Sequence, residues 1–350
     1  MIQIQVPARI CFYGDHQDYL GLPVIAGAID RYINITARPN AEGKFVLKLL
    51  DLGEEDFIAL DDDLKNVRPG DFFRSAMAVL KNEGFHYQQG YTVEISGNIP
   101  VNAGLSSSSA LLVAWIRFLV AINGKLDETT DFQVGRWAYE AEVVFFDSPG
   151  GLMDQYTIAQ RGLLYIDTES GKSERLVGNM GQLLVAESGL AKKTLEVLKN
   201  ARVYAQNAVD AVKRSHPGFV LKESVLDDYQ KYLESVPNEF QDHWYAAIHN
   251  YQITLEAKKE LQKELPDLQK LGDLMNSHQK ILQEQIQNTP AEMVRMMEAA
   301  RRAGAIGAKT IGSGGGGCMV AMVTGDVKEK VRQAFLDAGA KAVYEVEITQ

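Results

Sequence analysis

Cysteine is almost missing from this chain: two residues in 350, Cys11 and Cys318, with no CxxC and no paired spacing. That scarcity argues against a disulfide framework and a structural zinc site, and it fits a reducing compartment. Long apolar runs are missing too. The most apolar stretch, Ala110 to Ile122, is interrupted by Arg117 and falls short of the roughly 20 residues that a bilayer-spanning helix needs. The opening residues, Met1-Ile-Gln-Ile-Gln-Val-Pro7, have neither the basic start nor the apolar core of a secretory leader. Positive charge is in deficit, with 36 Lys and Arg against 46 Asp and Glu and a net charge of −10. This speaks against a broad nucleic-acid or anionic-membrane surface, while leaving room for a local basic pocket. Low-complexity tracts and internal repeats are also absent. The expectation is a cytoplasmic globular protein with no nucleic-acid or membrane partner.

What is present is an ordinary globular composition, 46% hydrophobic and 23% charged, in a chain long enough for two domains. A period of two predicts strands at residues 2–10, 32–38, 44–50, 91–97, 162–167, 183–189 and 342–348. Helical spacing covers 71–82, with Gly84 placed as a C′ glycine, and the apolar run 111–120 reads as a buried helix. Further helices are expected over 129–145 and 327–338. Residues 190–287 read as mostly helical, broken at Pro217, Pro237 and Pro266. Thr289-Pro-Ala-Glu292 reads as a capping arrangement that opens a helix through Ala303. The polar segment 168–181 marks a boundary, giving units at 1–175 and 176–350. Strands of antiparallel character mixed with helices predict an α+β fold in two halves.

Four segments carry candidate chemistry. Pro100-Val-Asn-Ala-Gly-Leu-Ser-Ser-Ser-Ser-Ala110 joins a strand to the buried helix, and its glycine turn and serines offer unpaired amides and hydroxyls to an anion. A capped helix with a polar loop is the plainer alternative. The loop from Arg9 to Asp18 crowds Arg9, Asp15, His16 and Asp18 together, a set suited to binding several hydroxyls, or alternatively a salt-bridged loop. In Ser148-Pro-Gly-Gly-Leu-Met-Asp154, two glycines permit close approach of a ligand, and Asp154 at a helix start suits a base or an orienting group. Glu142 and a serine hydroxyl could supply oxygen ligands to Mg²⁺. Gly312-Ser-Gly-Gly-Gly-Gly317 satisfies GxGxxG but enters a strand, so the dinucleotide context fails. GxxxxGK[ST] and GxSxG do not occur.

Taken in order, three of these segments resemble the GHMP kinase superfamily, which includes galactokinase, homoserine kinase, mevalonate kinase and phosphomevalonate kinase. The segments are Pro7-Ala-Arg-Ile-Cys-Phe-Tyr-Gly-Asp-His-Gln-Asp-Tyr19, Pro100 with Gly104-Leu-Ser-Ser-Ser-Ser-Ala110, and Gly307-Ala-Lys-Thr-Ile-Gly-Ser-Gly-Gly-Gly-Gly317. The resemblance implies an N-terminal domain like the second domain of ribosomal protein S5, a ferredoxin-like C-terminal domain, and a site in the cleft between them. The first segment is most similar to that of galactokinase. On that basis Arg9 and Asp154 are expected to be catalytic, with Asp15, His16, Asp18, Gly151 and Asp154 on the sugar. Gly104, Leu105, Ser106, Ser107, Ser108 and Ser109 would hold the phosphates of ATP, and Ser107 and Glu142 would be associated with Mg²⁺. The implied reaction is phosphorylation of a monosaccharide, most simply at the anomeric hydroxyl. The alternatives are a non-sugar alcohol such as mevalonate, or a non-catalytic ATP and sugar sensor. The chain departs from the galactokinase pattern, having Asp15 for a glutamate, Cys11 for an asparagine and Gln17 for a threonine. These changes leave the identity of the sugar open.

Overall fold

The computed structural model describes residues 1–100, 104–191 and 194–350. Val101, Asn102 and Ala103 of the expected phosphate loop therefore lie outside the described residues. The fold is α+β, as the sequence implies. Among the described residues its first sheet has seven strands: β1 (Ile2–Tyr13), β2 (Val24–Pro39), β3 (Lys44–Leu49), β4 (Glu54–Ala59), β5 (Tyr91–Gly97), β6 (Leu163–Ile166) and β7 (Ser173–Arg175). The order is β4-β3-β5-β2-β6-β7, with β1 antiparallel along nearly the whole of β2 and β3 parallel to β5. The second sheet comprises β8 (Gln182–Glu187), β9 (Gly307–Thr310), β10 (Cys318–Val323) and β11 (Ala342–Val346). Its order is β11-β8-β10-β9 with every pairing antiparallel, the arrangement of a βαββαβ ferredoxin-like unit.

The helices are α1 (Phe72–Asn82), α2 (Ser107–Ile122), α3 (Asp131–Tyr139), α4 (Met153–Gln160), α5 (Thr194–Ser215), α6 (Asp227–Tyr232), α7 (Gln241–Leu261), α8 (Leu268–Glu284), α9 (Ala291–Arg302) and α10 (Lys328–Asp337). Helix α2 is mostly apolar and mostly buried, with Leu112 to Ile116 and Phe118 to Val120 sealed among β1, β2, α1, α3 and α4. Trp115 stacks on Phe118, and its indole N–H donates to Phe73 O at 3.0 Å. Because this helix cannot slide without breaking the core, the serines at its N-terminus have a fixed origin. No described helix is long and apolar enough to cross a membrane.

Several expectations are corrected. Strand β2 runs for 16 residues and takes in the small apolar stretch from Val24, which only its later half announces by alternation. Strand β9 is read in the sequence as the start of a glycine loop. All four of its residues are buried, because α8 and α9 both pack on it, so no alternation exists to be read. The helix expected over 129–145 ends at Tyr139 and continues as a π turn, Glu140–Val144. Its cap is a true capping box, formed by Thr130 and Gln133. Thr289 does not cap α9. Pro290 occupies that position, and the Thr289 hydroxyl bonds Asn288 and Gln279 instead.

The two sheets are joined by more than the chain between them. Beyond β11 the chain returns to β2, with Asp30 N donating to Glu347 O at 3.0 Å and Thr349 N to Ala28 O at 2.9 Å. Helix α8 meets β9 at a glycine pair: a Cβ on Gly272 would lie 2.7 Å from Ile306 O, and one on Gly307 would lie 2.8 Å from Gly272 Cα. A single added methyl therefore forces helix and strand apart. We expect Gly272→Ala to lower unfolding stability by roughly 1–3 kcal/mol in urea titration, an overpacking cost.

Candidate active site

Strand β1 delivers Arg9 to the bottom of a cleft. The guanidinium is buried, donating from Nε to Asp154 Oδ1 at 2.6 Å and from Nη1 to Gly104 O at 2.8 Å. Burial works against its charge, but the Asp154 carboxylate raises the Arg9 pKa above its ordinary value. Asp154 stands in the first turn of α4, where a negative charge is favoured by the helix dipole. Its other oxygen accepts from Ser106 Oγ at 2.5 Å. One interaction set thus ties β1, the serine loop and α4 together.

Ser106 precedes α2 with a left-handed backbone (φ 57°) and makes no side-chain cap on that helix. The first amides of α2 consequently have no side-chain acceptor at the N-cap. Ser106, Ser107, Ser108 and Ser109 line the cleft with Gly104, whereas Leu105 turns into the core. The π turn after α3 brings Glu142 to the same place. Its carboxylate accepts from Ser108 Oγ at 2.9 Å and Gln155 Nε2 at 2.7 Å. Burial raises the Glu142 pKa, opposed by these hydrogen bonds and one from Ser109. Such π turns are frequent at functional sites, since an extra residue re-aims one side chain.

The loop after β1 supplies the other wall. Gly14, at φ 95°, turns against the backbone of Pro23 and Val24, where a Cβ would lie 2.9 Å from Pro23 O. Asp15 is buried, with Oδ2 accepting from Lys309 Nζ at 2.7 Å and Oδ1 from Gly312 N at 3.1 Å. Burial alone would raise its pKa, but Lys309 holds it below the usual carboxylate range. His16 has φ 63°, and its Nε2 lies 3.0 Å from Ser313 O and 3.1 Å from Asn288 Nδ2. Asp18 approaches so close to Gly151 that a Cβ there would overlap its carboxylate. Burial, and then the charge of Asp154, push the Asp18 pKa up to about 7.

The cleft holds a space of about 330 Å³, lined by Arg9, Asp15, His16, Asp18, Gly104, Ser106 to Ser109, Glu142, Gly151 and Asp154 among others. All the singled-out residues except Leu105 therefore converge on one cavity. Sequence reasoning missed Gln155, Lys309 and Asn288. Lys309 carried a readable signal, a lone cation in the stretch Ala305-Ile-Gly-Ala-Lys-Thr-Ile311. Asn288, in the loop before α9, carried none. Among the described residues no three His, Cys, Asp or Glu side chains gather as a metal cluster. A carboxylate with neighbouring hydroxyls still suits Mg²⁺, which takes few protein ligands and keeps several waters.

Comparison with known proteins gives matches along the chain. Residues 71–162 match the family model "GHMP kinases N terminal domain", and residues 257–341 match "GHMP kinases C terminal". A mevalonate kinase of Thermococcus gammatolerans is 26% identical over 352 residues, covering 97% of this chain and 94% of that protein. A galactokinase of Streptococcus suis is 28% identical over 356 residues, covering 97% of this chain and 88% of that protein. Among solved structures, Lactococcus lactis galactokinase complexed with galactose superposes with a TM-score of 0.87 at 21% identity, covering 99% of this chain and 93% of the other. Methanococcus jannaschii mevalonate kinase superposes with a TM-score of 0.75 at 19% identity, covering 100% and 98%.

The raised Asp18 pKa has a measurable sign. Between about pH 4 and pH 7 the folded state holds a proton on Asp18 that the unfolded chain has released, so the contribution of this group to stability falls as pH rises through that window. Above about 7 it is constant. Asp18→Asn should remove this fall, gaining on the order of 2 kcal/mol relative to the parent at pH 8 over pH 4.5. Urea unfolding at the two pH values reads it, and an identical pH difference in both proteins would contradict the assignment.

Proposed function

The chain belongs to the GHMP kinases and is an ATP-dependent kinase, and from that premise we propose that it phosphorylates a free monosaccharide in the cytoplasm, at the anomeric hydroxyl. We read the domain boundary between 175 and 176, a reading supported by the end of β7 at Arg175 and the start of β8 at Gln182. The observation that carries the sugar reading is the charge of the cavity. Asp15, Asp18, Glu142 and Asp154 line it; Lys309 behind the wall offsets Asp15, and Arg9, already paired with Asp154, is the only Lys or Arg among the described lining residues. Carboxylates are good acceptors for the several hydroxyls of a sugar. An acceptor bearing its own carboxylate, such as mevalonate or a uronic acid, would enter this space without a compensating cation.

In this reading the serine loop and the first amides of α2 hold the ATP phosphates, where an anion is favoured. Ser107 and Glu142 would hold Mg²⁺, which when bound neutralises phosphate charge. Asp154 takes the proton from, or orients, the acceptor hydroxyl. The anomeric hydroxyl is the most acidic on a free sugar and so the one best matched to a carboxylate base. Arg9, 2.6 Å from Asp154, favours the ionised form of that carboxylate and offsets charge on the transferring group. Asp18 faces the remaining hydroxyls beside Gly151, with Asp15 and His16 behind it. A second reading, a mevalonate-type acceptor, draws on the mevalonate kinases among the relatives.

ATP consumption over a panel of galactose, glucose, fucose, arabinose, galacturonate, glucuronate, N-acetylhexosamines and mevalonate separates the readings, with the phosphate located by NMR. Turnover of mevalonate alone would sink the sugar assignment. Asp154→Asn should lower kcat by roughly 10²–10⁴-fold, the usual contribution of a positioned base, while ATP still binds. Full turnover by that variant would exclude Asp154 as the base.

A further inference from the structure

Two adjacent residues of the acceptor loop are tied to two adjacent residues of the glycine-rich loop on the second sheet. Asp15 is the first tie. Lys309 is fully buried on β9, and its three N–H groups meet three acceptors: Asp15 Oδ2 at 2.7 Å, Cys11 O at 3.1 Å and Thr310 O at 2.6 Å. Gly312 N completes this tie at the other Asp15 oxygen. His16 is the second. The Asn288 amide donates to Ser313 O at 3.1 Å and lies 3.1 Å from His16 Nε2, while Asn288 O accepts from Gly315 N at 2.6 Å. Asn288 is itself buried, and Gly314 approaches it so closely that a Cβ would lie 2.7 Å from its side-chain carbon.

We propose that Lys309 and Asn288 are positioning residues for the acceptor: they fasten the loop of residues 14–18 to the glycine-rich loop, so that Asp18 is presented beside Asp154. This rests on the sugar-kinase reading for the identity of the acceptor. Acceptor affinity then depends on the second sheet, while the groups assigned to the ATP phosphates do not. Gly104, Ser106 to Ser109 and Glu142 all stand on elements that precede β6, and none hydrogen-bonds Lys309 or Asn288 among the described residues. The tie at Asp15 also has to be a cation. Asp18 and Asp154 already place two carboxylates at this end, and an uncompensated third would disfavour ionisation of its neighbours.

The test uses full-length Asn288→Ala, Lys309→Met, Lys309→Arg and the double variant Asp15→Asn/Lys309→Met. KM for the acceptor found in the panel, KM for ATP and kcat are measured, together with ligand-free hydrogen exchange across residues 12–20 and 312–317. Asn288→Ala should raise acceptor KM by roughly tenfold or more, leaving ATP KM and kcat within about threefold, and the double variant, which also removes the Asp15 carboxylate, should raise acceptor KM at least as much. Lys309→Arg should recover part of what Lys309→Met loses. Exchange should quicken in both loops. The double variant removes both charges at once, so it carries the test if Lys309→Met does not fold. An unchanged acceptor KM in the double variant and in Asn288→Ala would overturn the proposal, as would a parallel rise in ATP KM. If the parent protein turns over no member of the panel, the sugar reading fails and the exchange measurement judges the tie alone. Unaltered exchange in the double variant would then overturn it.

Discussion

An ammonium group sealed from water has no stable position unless acceptors surround it, and Lys309 is the least exposed charged residue among those described. Its partners come from three places: the end of β1, the acceptor loop and its own strand. A buried pair of this kind contributes little net stability over an apolar one, but loss of a single partner typically costs about 3–5 kcal/mol. The geometry is therefore conditional. Asp15 can be buried and ionised only while β9 stands where it does, and β9 is held there by its pairing with β10, by α9, and by α8, which crosses it at a contact of glycine against glycine. The acceptor loop inherits its position from this chain of dependence.

The site itself is assembled from departures from regular backbone. His16 and Ser106 adopt left-handed conformations, and Glu142 rides on a π turn. Each departure is held by something rigid: the buried helix α2 behind Ser106, the α3–α4 pair around Glu142, and the second sheet behind His16. Strained or irregular backbone persists only where its surroundings over-determine it, and it gathers at functional sites. Arg9 and Asp154 meet across the centre of these three irregular segments, 145 positions apart in sequence and 2.6 Å apart in space.

Much of this was legible beforehand, for identifiable reasons. The serine run, the Arg9–Asp18 loop and Asp154 could be singled out because they put ionisable and hydroxyl groups on turns beside clear strands and helices. Strand β9 could not be read, since burial on both faces erases alternation, and β4 passed unnoticed because its residues Glu54-Glu-Asp-Phe-Ile-Ala59 look like a polar loop until they pair with β3. The sequence could bring Asp15 near the cavity but gave no view of its partner, because an ion pair between residues 15 and 309 is a property of topology alone. Asn288 was invisible for the same reason.

The π turn at Glu140–Val144 makes the site depend on counting as well as on chemistry. In an α-helix each residue advances the side-chain direction by about 100°, so a helix holding one residue fewer here would keep its composition and its length almost unchanged. Glu142 would nevertheless rotate off the cavity wall, away from Ser108 and Gln155. The carboxylate is thus addressed by the parity of a short insertion. For this segment a one-residue deletion is a more drastic change than most substitutions, although every side chain named in the site would still be present in the chain.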